Sequence, residues 1–226
     1  MNIKGVAFDL DGTLVNSIED LASSMNRVLL ELGFPVHSVD DYKKFVGNGI
    51  RNLVFAALPE ELRDDKTVNA CYTLMIKDYR EHCLDRSVLY EGIDELLKEL
   101  SERQIKMAVL TNKVDELAHK VVGHLMPERN FQLILGVSDK VPRKPDPTGA
   151  LMIGGQLGIP SGDFLYVGDS GVDMETAERA GMYGVGALWG FRSREELVRA
   201  GAKDLIERPL DLLQVLEKKS GEVSNE

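Results

Sequence analysis

Apolar runs of strand length recur at residues 3–9, 106–111, 133–137, 164–169 and 183–188, the later ones separated by segments of helical period. Within 92–103, Ile93, Leu96, Leu97 and Leu100 share one helical face, and the segment 147–157 begins with a proline at or near its first turn. Strands alternating with helices predict an α/β fold, a parallel sheet with helices on both faces. One interval departs from this pattern. From 17 to about 85 the periodicity is helical throughout: Ile18, Leu21, Met25, Val28, Leu29 and Leu32 form one amphipathic face, Gly33 and Pro35 end it, and 64–83 forms another long periodic segment.

An insertion of this length after the first strand predicts a second, all-helical domain over the strand ends, acting as a lid. The expected division is a core of residues 1–15 and 87–218, a helical cap of 16–86 and a flexible polar tail of 219–226. Residues 14–16 and 85–87 are then two linkers lying side by side, able to serve as a hinge. No internal repeat is present.

The 226 residues are 43% hydrophobic and 28% charged, as in ordinary soluble domains. The net charge of −10 argues against nucleic-acid or anionic-membrane partners, which need a basic face. No apolar run approaches the roughly 20 residues that span a bilayer, so a cytoplasmic location without membrane contact is expected. Cys71 and Cys83 fall in one helical stretch, about 18 Å apart and too far to bridge. His37, His82, His119 and His124 lack metal-ligand spacing and receive no role.

The candidate chemistry collects at predicted strand ends, where open α/β sheets bind ligands. Asp9-Leu10-Asp11-Gly12-Thr13 places two carboxylates after the first apolar run, just before a glycine turn. The first can attack phosphorus as a nucleophile, and the second, two residues on and on the same side of an extended chain, can be its acid/base partner. Thr111-Asn112-Lys113 brings a hydroxyl, an amide and backbone N–H groups to a second strand end, suited to phosphate oxygens or to capping the next helix. In Arg143-Lys144-Pro145-Asp146-Pro147 the prolines stiffen a loop that can present a point charge, with Arg143 competing with Lys144 for that part. Asp169 ends a fourth strand, where it can join the oxygen shell of Mg²⁺, and Asp173 falls in the next helix's first turn. Asp173 can accept from Lys144 or from a metal-bound water while also favouring the helix N-terminus.

With Asp-x-Asp-Gly-Thr at 9–13, a strand-ending Thr111, Lys144 and Gly-Asp-Ser-x-x-Asp at 168–173, the chain resembles the haloacid dehalogenase-like hydrolase superfamily from residue 3 to about 216. The resemblance implies a Rossmann-like doubly wound core with an inserted helical cap, Mg²⁺ dependence and hydrolysis of a phosphomonoester. It also implies that Asp9 attacks phosphorus, Asp11 serves as acid and then base, and Thr111 and Lys144 stabilise the phosphoryl oxygens, with Asn112 beside Thr111 a further phosphate-binding candidate from its place at the strand end. Mg²⁺ would be held by Asp9, the main-chain carbonyl of Asp11 and Asp169. A cation and a lysine are what a phosphate dianion needs to approach a carboxylate.

Among members of the superfamily, dehalogenases lack the second acid and need no metal, and hexose-phosphate mutases carry a cap histidine where this chain has Leu21. Phosphonate hydrolases use a cap lysine; Lys43 and Lys44 lie in the cap without matching that pattern. The stretch around Gly47-Asn48-Gly49 and Arg51 resembles the cap loop of phosphoglycolate phosphatases, with glycines allowing close approach and Arg51 able to hold a carboxylate, or else a plain turn with a solvated arginine. Tyr90-Glu91-Gly92 also resembles that subfamily. The expected partner is a small phosphorylated metabolite, 2-phosphoglycolate first. Pyrophosphate, sugar phosphates, a mutase substrate, or a non-catalytic phosphate-binding regulator are the alternatives. No Gly-x-Gly-x-x-Gly follows the first strand, which argues against a dinucleotide enzyme.

Overall fold

The computed structural model describes residues 2–221. In chain order its elements are β1 (Gly5–Phe8), β2 (Val15–Asn16), α1 (Ile18–Glu31), α2 (Val39–Phe45), α3 (Ile50–Ala57), α4 (Asp65–His82), β3 (Val88–Leu89), α5 (Ile93–Glu102), β4 (Lys106–Val114), α6 (Asp115–Leu125), β5 (Phe131–Val137), α7 (Thr148–Leu157), β6 (Phe164–Gly168), α8 (Gly171–Ala180), β7 (Tyr183–Ala187), α9 (Arg194–Arg199), β8 (Asp204–Ile206) and α10 (Asp211–Gly221). Six strands, all parallel, form one sheet in the order β5-β4-β1-β6-β7-β8.

Side chains alternate across β1: Val6 and Phe8 enter one core with α5, α6 and α10, while Ala7 enters the other with α7 and α8. Both faces are covered, so a strand such as Gly5–Phe8 is wholly buried and reads as an apolar run. Because β1 is flanked by β4 and β6, strand order reverses beside it, and the crevice past its carboxyl end is where such sheets bind ligands.

Between β2 and β3 the chain is helical, as its periodicity predicts. Ser38 and Asp41 form a capping box on α2, and the Asp64 side chain accepts from Thr67 N at the start of α4. Packing joins α1 to α2 and α4, and α3 to α2 and α4. Bidentate Arg27–Asp78 bonds of 2.8 and 2.6 Å tie α1 to α4. The way out and the way back lie side by side as an antiparallel ribbon, Val15 opposite Leu89 and Asn16 opposite Val88. The buried Asp20 carboxylate braces that junction, accepting from Arg86 N, Ser87 N and Ser87 Oγ at 2.7–3.1 Å.

Three expectations change. The sixth strand, β8, has three residues, too short to stand out from a loop by periodicity. β4 runs to Val114, so Thr111, Asn112 and Lys113 belong to the strand rather than following it. The tail predicted from 219 begins as the last turn of α10, which extends to Gly221; the remainder of that prediction, 222–226, lies outside the described residues. Among the described residues no helix is long and apolar enough to cross a membrane. Cys71 and Cys83 are buried free thiols.

Candidate active site

β1 delivers Asp9 to the crevice, fixed by its N–H to Val167 O at 2.9 Å. Its Oδ1 is 2.8 Å from Lys144 Nζ, too oblique for a hydrogen bond, and is a buried oxygen without a hydrogen-bond partner. Lys144 Nζ donates to Asp173 Oδ1 at 2.6 Å, and Asp173 Oδ2 takes the Ser170 N–H and Oγ–H at the start of α8. Asp173 is therefore both a helix-capping acid and the anchor of Lys144.

Asp169 arrives from the end of β6 and accepts from Thr13 Oγ1 at 3.3 Å and Phe191 N at 2.7 Å. Gly12 makes this approach possible. At its φ of +91° a side chain is strained, and a Cβ there would lie 2.4 Å from an Asp169 carboxylate oxygen. Single carboxylate oxygens of Asp9, Asp169 and Asp173 all lie within 4.8 Å of one another. Such crowding in a buried place disfavours the ionised forms: burial, with Lys144 opposing and Asp173 adding, pushes Asp9 up to about 7, and burial beside Asp173 and Asp9 raises Asp169 well above its ordinary value. Burial pulls Lys144 down, but Asp173 and Asp9 more than offset it and keep the ammonium charged. The set fits a divalent cation. Asp9 has a bare buried oxygen and Asp169 accepts from a neutral hydroxyl and a backbone N–H, whereas Asp173 already holds the Lys144 ammonium.

Asp11 lines the same crevice but stands outside this carboxylate group. Its Oδ1 accepts from Ser17 Oγ at 2.5 Å, and both oxygens accept from Lys113 Nζ at 2.8 and 2.9 Å. Lys113 also donates to Tyr79 Oη of α4 at 2.8 Å. Burial lowers the lysine's pKa but Asp11 and Tyr79 outweigh it, while burial raises the phenol, so the ammonium and the O–H both persist at neutral pH.

A small cavity of about 30 Å³ lies over these groups, with Asp9, Asp11, Thr111, Asn112 and Lys113 on the sheet side and Leu21, Val46, Gly47, Gly49, Ile50 and Leu53 on the helical side. Two ties hold the loop between α2 and α3 down: Asn112 Nδ2 donates to Gly47 O at 3.0 Å, and Arg192, beyond β7, donates to the carbonyls of Lys43, Lys44 and Val46, the last at 2.6 Å. A guanidinium on the closing carbonyls of α2 also suits that helix's negative end.

Sequence reading and structure part at three of the expected residues. Arg51 pairs with Asp65 at 2.8 Å and does not line the cavity. Ile50 and Leu53, three apart, define the inward face of α3, and position 51 lies about 100° around from Ile50. Asn48 is exposed while Gly47 and Gly49 face the cavity. The Asn112 side chain does not project freely toward a phosphate: its Oδ1 accepts Lys144 N at 2.8 Å and its Nδ2 is on Gly47 O and Lys144 O. Lys113, Tyr79, Ser17, Thr13 and Arg192 received no role from the sequence. Two of them left a trace, Lys113 as a lysine closing an apolar strand and Thr13 as the last residue of the first motif. Arg143, the competitor of Lys144, packs instead against the loop, its Nε 3.1 Å from where a Gly49 Cβ would sit.

Residues 6–187 match the model of the haloacid dehalogenase-like hydrolase family. The chain is 31% identical over 216 residues to a phosphoglycolate phosphatase of Aquifex aeolicus, covering 94% of this chain and 96% of that protein. It is 34% identical over 199 residues to a phosphoglycolate phosphatase of Chromobacterium violaceum, covering 87% and 90%. The crystal structure of a predicted phosphoglycolate phosphatase from Haemophilus somnus superposes with a TM-score of 0.88 at 27% identity, over 95% of this chain and 98% of that one.

Proposed function

The chain belongs to the haloacid dehalogenase-like hydrolase family and is a phosphatase, and from that premise we propose that it hydrolyses 2-phosphoglycolate through an aspartyl-phosphate on Asp9. The observation that carries this reading is the Asp9 carboxylate itself: buried, with one oxygen free of hydrogen bonds, and backed by a lysine that Asp173 holds in place.

Asp9 attacks phosphorus in line with the leaving oxygen, forming the Asp9 O–P bond as the P–O ester bond breaks. Asp11 gives its proton to the departing alkoxide, then takes one from the water that cleaves the aspartyl-phosphate. The Lys144 ammonium, with Thr111 Oγ1 and backbone N–H groups at the end of β4, stabilises charge on the phosphoryl oxygens. Mg²⁺, held by Asp9, Asp169 and the Asp11 carbonyl, would supply positive charge that lets a dianion meet an anionic nucleophile. Asp173 holds Lys144 rather than the ion, since its charge is already matched by the Lys144 ammonium at 2.6 Å.

Residues 16–86 act as the lid. A 30 Å³ space holds about two water molecules and no phosphate ester, so the helical layer lifts to admit substrate and closes over it. The carboxylate of phosphoglycolate suits the end of the cavity where Gly49 and Ile50 open α3, because the first backbone N–H groups of a helix and its dipole favour an anion.

The test is phosphate release from 2-phosphoglycolate, pyrophosphate, sugar phosphates and a mutase substrate, with Mg²⁺ and with chelator. A dominant kcat/KM for 2-phosphoglycolate that needs Mg²⁺ supports the reading. Equal, weak rates across the panel remove the substrate assignment, and release unaffected by chelator removes the metal.

A further inference from the structure

Among the described residues, Lys113 is the one buried cation at the site that phosphoryl chemistry leaves without a task. Its side chain is 1% exposed, and it spends its hydrogen bonds on both oxygens of Asp11 and on Tyr79 Oη. The ammonium is 4.8 Å from the centre of the Tyr79 ring, out beyond its hydroxyl. Tyr79 comes from α4, wholly buried, whereas Asp11 and Lys113 come from the sheet side. Ser17, at the start of α1, holds Asp11 Oδ1 from the other flank. The helical layer thus touches Asp11 directly through Ser17 where it begins, and bears on it indirectly through Tyr79 of α4, which accepts from the sheet-borne Lys113 that holds Asp11. A buried ammonium is costly unless its partners satisfy it, so Lys113 stays well placed only while α4 is seated.

We infer that Lys113 and Tyr79 are positioning residues that aim the Asp11 carboxyl at the leaving oxygen, so that proton delivery depends on the helical layer being down. The inference rests on the reading of Asp11 as the general acid. With the layer lifted, Tyr79 withdraws, Lys113 loses one of its holds, and Asp11 loses the support that fixes its side chain. Chemistry is then matched to closure without any substrate contact by Tyr79.

The test compares ethyl phosphate with acetyl phosphate, both with uncharged two-carbon leaving portions. Ethoxide needs a proton as the P–O bond breaks, and acetate leaves as the anion. The readout is the single-turnover rate of ethanol or acetate release, which reports the first step only, expressed as the ethyl-to-acetyl ratio. Asp11→Asn is the control and lowers the ratio at least a hundredfold; an unchanged ratio there removes the acid role of Asp11, and with it the reading underneath. With the control in hand, Lys113→Met lowers the ratio at least tenfold and Tyr79→Phe, which keeps the ring and loses only the hydroxyl, at least threefold. A merely structural role slows both substrates alike, and an unchanged ratio in both variants overturns the inference. Should Lys113→Met fail to fold, Tyr79→Phe decides alone.

Discussion

Lys144 Nζ stands 2.8 Å from Asp9 Oδ1, an ammonium set against a buried carboxylate oxygen that has no hydrogen bond among the described residues. The lysine is 2% exposed and cannot swing away, because Asp173 Oδ1 holds it at 2.6 Å. A fixed charge needs no reorganisation as negative charge builds on the phosphoryl group, which is the condition under which electrostatic stabilisation contributes most.

Replacing that lysine removes a charge the reaction needs. Lys144→Ala is expected to lower kcat by at least a hundredfold, and Asp173→Asn by less, since an amide can still accept from the ammonium. Steady-state rates on 2-phosphoglycolate check the order. An Asp173→Asn enzyme more impaired than Lys144→Ala contradicts it.

Metal-free stability has a definite slope with pH. Asp9 is raised from 3.8 to about 7 and Asp169 well above 3.8, both by burial first. Between the ordinary and raised values the folded chain binds more protons than the unfolded chain, so stability falls as pH rises through about 4 to 7. Lys144, also raised, keeps its charge across this window and leaves the sign unchanged. Mg²⁺ is expected to add more stability at pH 8 than at pH 5. Urea unfolding with Mg²⁺ and with chelator at both values measures this, and equal increments contradict it.

Much of this arrangement is legible in the sequence, and what is not has a physical reason. Asp9, Thr111 and Asp169 each close an apolar run and Lys144 follows in the loop after a fourth, and strand ends of a parallel sheet share one edge, so their meeting follows from the pattern. The facing of the helical loop does not. Whether Ile50 or Arg51 looks into the cavity depends on the rotation of α3 about its axis, which is set by packing on α4 and not by the Gly47-Asn48-Gly49 motif. Lys113 reads as one more polar residue at a strand end until Asp11 and Tyr79, 102 and 34 residues away in sequence, are seen around it. β8 is too short to carry a period at all.

Gly12 is expected to tolerate no side chain. Gly12→Ala places a Cβ 2.4 Å from Asp169 at a φ of +91°, so Asp169 must move. The strain is about 1–3 kcal/mol, and activity falls with weaker affinity for Mg²⁺. A variant with wild-type Mg²⁺ dependence runs against the close approach described here.

Arg192 ties the sheet side to the end of α2 through three carbonyls. Arg192→Ala is expected to favour the lifted position of residues 16–86 and to raise KM for 2-phosphoglycolate several-fold, with a smaller change in the rate of the bound complex. Arg192→Lys, which cannot span three carbonyls, recovers only part. An unchanged KM in both variants removes the tie from the account.

Phosphorylation of Asp9 is visible by rapid acid quench after mixing the enzyme with radiolabelled 2-phosphoglycolate and Mg²⁺. Protein-bound label that hydroxylamine releases is expected, carried by the peptide containing Asp9 and lost in Asp9→Asn together with turnover. Full turnover in Asp9→Asn, or label on any other residue, contradicts it.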